Sequence, residues 1–167
     1  MVKIRKAQEA DAPVLAAAEA NIAQTPGYMV SRPNEITPYA FARKIADLSQ
    51  HPRGLYIVTS LDDKIVGHAM LDPMRLSALS HVVKLNIFVY PGFQRQRIGQ
   101  TMMEYLLTWA KQAPGVEKIE LLVRATNKPA IALYQKFGFF EEGRFKKRLK
   151  LPDGSYIDDI SMALFVD

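Results

Sequence analysis

The run from Val82 to Met103, VVKLNIFVYPGFQRQRIGQTMM, most constrains what this chain can fold into. Val82 to Val89 is apolar and β-branched, Pro91-Gly92 breaks it, and from Ile98 apolar residues recur at helical spacing. A further strand-like run, Lys118 to Val123, follows once Ala113-Pro114-Gly115 has stopped the helix. Two strands joined through a helix run parallel with a right-handed crossover, which demands an α/β arrangement. The turn inside this unit is informative as well. It leaves backbone N–H groups without intrahelical partners and points the positive end of a helix dipole at the loop. Gln94, Arg95, Gln96 and Arg97 crowd onto it, and Gly99 leaves one side bare for a ligand to approach, so the junction reads as an anion site.

The flanking segments supply more strands and helices. Val2 to Arg5 reads as a short strand. Asp11 is the expected N-cap of a helix from Ala12 to about Ala23, with Val14, Leu15, Ala18 and Ile22 on its apolar side. Gln24 to Pro33 lacks helical period and is punctuated by Pro and Gly, yet carries Tyr28 and Met29; such loops line substrate pockets. Thr37-Pro38 opens a second helix, with Phe41, Ile45 and Leu48 on one face, ending near Gln50. Leu55 to Ser60 and Ile65 to Leu71 form an antiparallel hairpin. The helix from Ile98 extends to about Lys111 and is expected to bury Ile98, Met102, Tyr105, Leu106 and Trp109. Asn127 and Pro129 open a fourth helix that carries Ala130, Leu133, Tyr134 and Phe137 on one face and stops at Gly138. Phe139 to Leu151 and Ser155 to Val166 are two closing strands about Pro152-Asp153-Gly154.

Composition narrows the functions available. A chain of 167 residues suits one domain, residues 1–167, with a core that needs no disulfide or metal. It has no cysteine, which excludes thiolate metal ligation and a cysteine acyl-enzyme. His51, His68 and His81 match no metal spacing or catalytic pair and read as surface or satisfied core histidines, so no metal is expected. No apolar run approaches the ~20 residues of a membrane span, and the opening MVKIRKAQEAD lacks a signal-peptide core, so a cytoplasmic location without membrane contact is expected. The net charge of +5 attracts phosphates, acyl carriers or nucleic acid nonspecifically and does not choose among them. The basic set Arg144, Lys146, Lys147, Arg148 and Lys150 reads as a solvated strand face, because no nucleic-acid-binding motif accompanies it.

Two motifs resemble the GNAT superfamily of acyl-CoA-dependent N-acyltransferases. Gln94-Arg95-Gln96-Arg97-Ile98-Gly99 is similar to its Q/R-x-x-G-x-G/A pyrophosphate loop, with Arg97 where the family has its first glycine. Either the turn tolerates that side chain because only its N–H is used, or the loop is distorted; we take the former, since Arg97 adds charge beside the expected phosphates. Asn127 to Phe139 resembles the family's N-x-x-A-x-x-L-Y-x-x-x-G-F segment and is the more specific of the two. Independently, Asn127 and Tyr134 lie seven residues apart in sequence, on one helix face about 10 Å apart, within reach of one thin ligand arm.

The resemblance implies a three-layer α/β fold: a mixed, mostly antiparallel sheet of about seven strands, helices on both faces, and a splayed parallel pair forming the cofactor cleft. It implies transfer of acetyl from acetyl-CoA to an amine, directly in a ternary complex. The pyrophosphate would sit on the turn, involving Gln94, Arg95, Gln96, Arg97, Ile98, Gly99 and Gln100. The pantetheine arm would add to the backbone of Phe88 and Val89, with Asn127 and Ala130 beside it, and Tyr134 would protonate the leaving thiolate. Glu35, Asn86, Glu120 and Asp158 are polar candidates for the amine's activation, Glu35 being selected because it lies in the loop before the second helix. A small-metabolite amine is the favoured substrate, with a protein N-terminus or lysine as the alternative. A noncatalytic acyl-CoA-binding module and a nucleic-acid-binding domain are the rivals, and a homodimer through the last strand or an exposed helix face is left open.

Overall fold

A computed structural model describes residues 1–167. Seven strands form one sheet: β1 (Val2–Lys6), β2 (Leu55–Leu61), β3 (Lys64–Pro73), β4 (Val82–Val89), β5 (Lys118–Arg124), β6 (Phe140–Lys150) and β7 (Tyr156–Phe165). Their spatial order is β1-β2-β3-β4-β5-β7-β6, and only the β4/β5 pair is parallel. Helices α1 (Ala12–Ala23), α2 (Pro38–Ser49), α3 (Ile98–Gln112) and α4 (Lys128–Lys136) complete the chain. Asp62 and Asp63, both at positive φ, close the two-residue β2/β3 hairpin. No helix is long and apolar enough to cross a membrane.

Period-two alternation divides the core between the sheet's two faces. Ile57, Ala69, Leu71, Val83, Leu85, Ile119, Leu121 and Val123 pack with Ile98, Met102, Met103 and Leu106 of α3 and with Tyr134 of α4. On the other face Tyr56 and Val58 meet Leu15 of α1 and Ile45 and Leu48 of α2. Thr37 caps α2 by accepting from Ala40 N.

Three expectations need correction. Asp11 does not cap α1 with its side chain; its carboxylate accepts from Gln8 N and pairs with Arg5, closing the 3-10 turn before the helix. Val14 is 49% exposed because α1 presents Ala12, Leu15 and Ala16 to the core instead. Tyr105 is 37% exposed, and Met103, Leu107 and Ala110 occupy the inner face of α3.

The feature that positions the site is a parted seam. β4 and β5 pair only from Val82/Lys118 to Lys84/Glu120, and beyond that point they separate. β4 stays bonded to β3 throughout. Leu133 of α4 lies where a Cβ on Gly99 would meet it at 3.3 Å, with Val89 at 3.6 Å, so the start of α3 packs against α4 and the end of β4.

Candidate active site

The parted strands open into a cleft of about 1740 Å³, bounded by β4, β5, the Pro91–Gln100 turn, α4, the Tyr28–Ser31 loop and the inner face of α1. Backbone polarity on β4 follows from two bonds. Tyr90 N donates to Val66 O and Val82 O accepts from Met74 N, so the even-numbered residues turn their peptide groups toward β3. By alternation Leu85, Ile87 and Val89 turn theirs toward the side β5 has left. The open N–H groups are therefore those of Ile87 and Val89. Phe88, expected to offer its backbone to a ligand, is directed at β3 and contributes its ring instead.

At the head of the cleft α3 begins abruptly. Its first α-helical bond runs from Thr101 N to Arg97 O, leaving the N–H groups of Ile98, Gly99 and Gln100 without an intrahelical acceptor. Arg95 and Arg97 hold φ of 65° and 62°, the left-handed region that favours glycine. Arg97 thus adopts a backbone conformation that glycine enters freely, at a cost of about 1–2 kcal/mol. Gly99 turns its missing Cβ at Leu133 and Val89, so its lack of a side chain serves helix packing. Gln94 folds back, its Oε1 accepting from Gly92 N at 3.1 Å, and braces the turn. Gln96 lies outside the cleft lining; Arg95, Arg97 and Gln100 border it.

Along α4, Asn127 Oδ1 accepts from Ala130 N at 3.4 Å as the N-cap, leaving the Asn127 amide NH2 free and engaging the N–H of Ala130. Tyr134 is buried, its ring tilted against that of Phe139 with centroids 5.8 Å apart. Its hydroxyl makes no hydrogen bond in the protein and is not among the sealed, unpartnered oxygens, so it opens into the cleft. Burial pushes its pKa up to about 12, against a smaller lowering by the Arg124 guanidinium. The phenol therefore keeps its proton at neutral pH, as a proton donor must.

The acceptor end lies on the α1/α2 face. His68, only 2% exposed, is held among the rings of Phe41, Tyr56, Phe88 and Tyr90. Its Nδ1 lies 2.7 Å from the Tyr90 hydroxyl and its Nε2 2.6 Å from Glu19 Oε2. The histidine is satisfied in the core, yet it does belong to a polar constellation, which local spacing could not reveal. Glu19 lies one turn after fully buried Leu15, and a carboxylate on that inner stripe was the available signal.

The earlier candidates for amine activation fare differently. Glu35 is not in the cleft: its carboxylate accepts from Arg32 N at 2.7 Å and closes a 3-10 turn on the surface. Asp158 is also outside, held by Arg144 and Lys147 N. Glu120 borders the cleft but pairs with Lys118 at 2.9 Å, and Asn86 borders it without an ionisable group. His51 accepts from Arg53 N, far from this centre, and no group of three or more His, Cys, Asp or Glu gathers as a metal site would.

Residues 21–139 match the model of the Acetyltransferase (GNAT) family. The chain belongs to the GNAT acetyltransferase family. As a GNAT protein it is an acetyl-CoA-dependent N-acyltransferase, and the open N–H groups of Ile87 and Val89 and of the α3 start suit an amide-bearing arm that ends in a pyrophosphate. Among GNAT relatives it is 32% identical over 116 residues to the L-amino acid N-acetyltransferase AaaT of Escherichia coli, covering 70% of this chain and 71% of that protein. It is equally 32% identical over 116 residues to the ribosomal protein bS18-alanine N-acetyltransferase of Salmonella typhimurium, covering 70% and 74%. The GNAT fold is shared with an acetyltransferase from Streptococcus pneumoniae at TM-score 0.91, with 22% identity and 99% of each chain covered. A Salmonella typhimurium acetyltransferase structure with acetyl-CoA superposes at TM-score 0.89, with 16% identity over 100% of this chain and 95% of that one.

Proposed function

We propose that this GNAT enzyme acetylates the primary amine of a small metabolite, an α-amino acid being the favoured class, by direct transfer in a ternary complex. One observation carries the reading: open strand N–H groups, an unsatisfied helix start and a protonated buried phenol all border the same cleft. When bound, acetyl-CoA supplies the thioester that acylates the amine. The N–H groups of Ile98, Gly99 and Gln100, with Arg95 and Arg97, would hold its phosphates. Ile87 and Val89 would bind its arm as an added strand, one of their N–H groups polarising the reacting carbonyl, and the free amide of Asn127 would fix the arm from α4. Tyr134 would return a proton to sulfur.

The amino-acid assignment draws on the relationship to AaaT and on charge. Lys84 and Arg148 border the cleft and neither joins an ion pair, so an acceptor carboxylate has cations to meet. Tyr28, Met29 and Val30 add apolar surface for a side chain. The test is a panel of the standard amino acids, spermidine and an alanine-headed peptide, each incubated with acetyl-CoA and followed by thiol release and mass spectrometry. N-acetylated amino acids are the expected products. Acetylation of the peptide alone would move the assignment to protein N-termini, and no product from any amine would contradict it altogether.

A further inference from the structure

We propose that Glu19 is the catalytic group that takes the proton from the acceptor's ammonium, and that His68 and Tyr90 are its positioning residues. The inference rests on the amine-acetylation reading above. Only two acidic residues border the cleft, Glu19 and Glu120. Glu120 is neutralised by Lys118, which also reaches Glu142 at 3.0 Å. Glu19 pairs with no lysine or arginine, and its second oxygen, Oε1, makes no hydrogen bond within the protein.

The proposed role, an ionised Glu19 beside a neutral His68, sets the direction of the hydrogen-bond chain. An ionised Glu19 carboxylate only accepts, so His68 donates from Nε2. A neutral imidazole then accepts at Nδ1, and the Tyr90 hydroxyl donates to it. Burial first and the Glu19 charge second raise the pKa of both Tyr90 and Tyr56, which flank the ring, so both hydroxyls retain their protons. Asp11, the other charge acting on Tyr90, is bound to Arg5. Glu19 is thus oriented through one oxygen and left open at the other, with 13% of its side chain exposed.

The sheet sets the height of this group relative to the reaction centre. His68 lies opposite Phe88 in the β3/β4 register, between the positions of Ile87 and Val89, whose N–H groups face the parted seam. The Phe88 ring stands 5.1 Å from the imidazole. The amine would therefore meet Glu19 from the α1 side and the reacting carbonyl from the seam side.

Glu19 takes one proton from the ammonium, freeing the nitrogen lone pair. A bond forms from nitrogen to the acetyl carbon and the carbon–sulfur bond breaks, its electron pair leaving with sulfur. Tyr134 gives its proton to the sulfur, and the second proton lost by nitrogen restores the phenol. One proton in all passes from Glu19 to solvent.

The test compares the parent protein with Glu19→Gln, using the fastest acceptor of the panel above. At pH 7 kcat/KM is expected to fall by about 10²-fold or more, with the affinity for acetyl-CoA unchanged. The deficit should shrink about tenfold per pH unit as solvent deprotonates the amine. His68→Gln, which keeps a donor near the Nε2 position, should lose less than His68→Ala. In the ligand-free protein, 15N spectra should show His68 protonated at Nε2. Turnover by Glu19→Gln within twofold of the parent, a deficit constant across pH, or His68 protonated at Nδ1 alone would overturn the proposal and leave the amine-acetylation reading standing. A parent that acetylates no amine would overturn both.

Discussion

Tyr134 and Arg97 show how a single side chain can keep a function while its surroundings change the terms. Tyr134 is a core residue by packing and, in the proposed mechanism, a proton donor by the access of its hydroxyl; burial, which raises its pKa to about 12, joins the two. Tyr134→Phe is predicted to lower kcat by about 10²-fold while CoA affinity stays within a few-fold, read by steady-state rates and calorimetric titration. Wild-type turnover in the variant would remove the phenol from the reaction. Arg97 holds a left-handed conformation and borders the cleft. In Arg97→Gly, relief of backbone strain opposes the added freedom of the unfolded chain, each worth about 1 kcal/mol, so the melting temperature should barely move. CoA binding should weaken by roughly fivefold, a loss that high salt diminishes. Tighter binding would show instead that the arginine obstructs the turn.

At the scale of elements, the site depends on how closely β3, β4 and α3 approach. Gly67 of β3 leaves no room for a methyl group: its Cβ would stand 2.8 Å from Phe88 O and 3.1 Å from Met102 Cε. Gly67→Ala should cost about 1–3 kcal/mol in denaturant unfolding and reduce turnover as well, because the strand that must yield carries the open N–H groups. Stability lost with turnover intact would mean that β4 can move without disturbing the site. The β1–α1 junction has a pH dependence of known sign. The Arg5 guanidinium, followed by the Gln8 N–H, holds the Asp11 carboxyl below its ordinary range against a raising effect of burial. Its contribution is present above the unfolded carboxyl value near ~4 and is lost as pH falls through the lower folded value. Arg5 is about half exposed, so Asp11→Asn should cost only about 1 kcal/mol at pH 7, and the gap between variant and parent should narrow as pH falls below the ordinary carboxyl range.

Across the whole molecule, what was legible in the sequence was what local chemistry determines. The strand-turn-helix at Val82 to Met103, the Thr37 and Asn127 caps and the hairpin at Asp62-Asp63 are recorded in neighbouring residues, and each forms where expected. The parting of β4 from β5 was anticipated only through family resemblance, because nothing in either strand's composition marks where pairing stops. Glu19, His68 and Tyr90 were not legible as a unit. Their contacts span 49 and 22 residues of sequence, and only the sheet register and the placement of α1 bring them together. Glu35 misled for the converse reason: a carboxylate in a promising loop is consumed by its own backbone three residues away. CoA is proposed to bind in the parted seam, with its arm on β4 and its phosphates on the start of α3. Backbone amide spectra during a CoA titration test it directly. Saturable shifts concentrated at Ile87, Val89, Ile98, Gly99 and Gln100 are expected; saturable shifts that spare these amides and cluster elsewhere on the molecule would put the cofactor outside the seam.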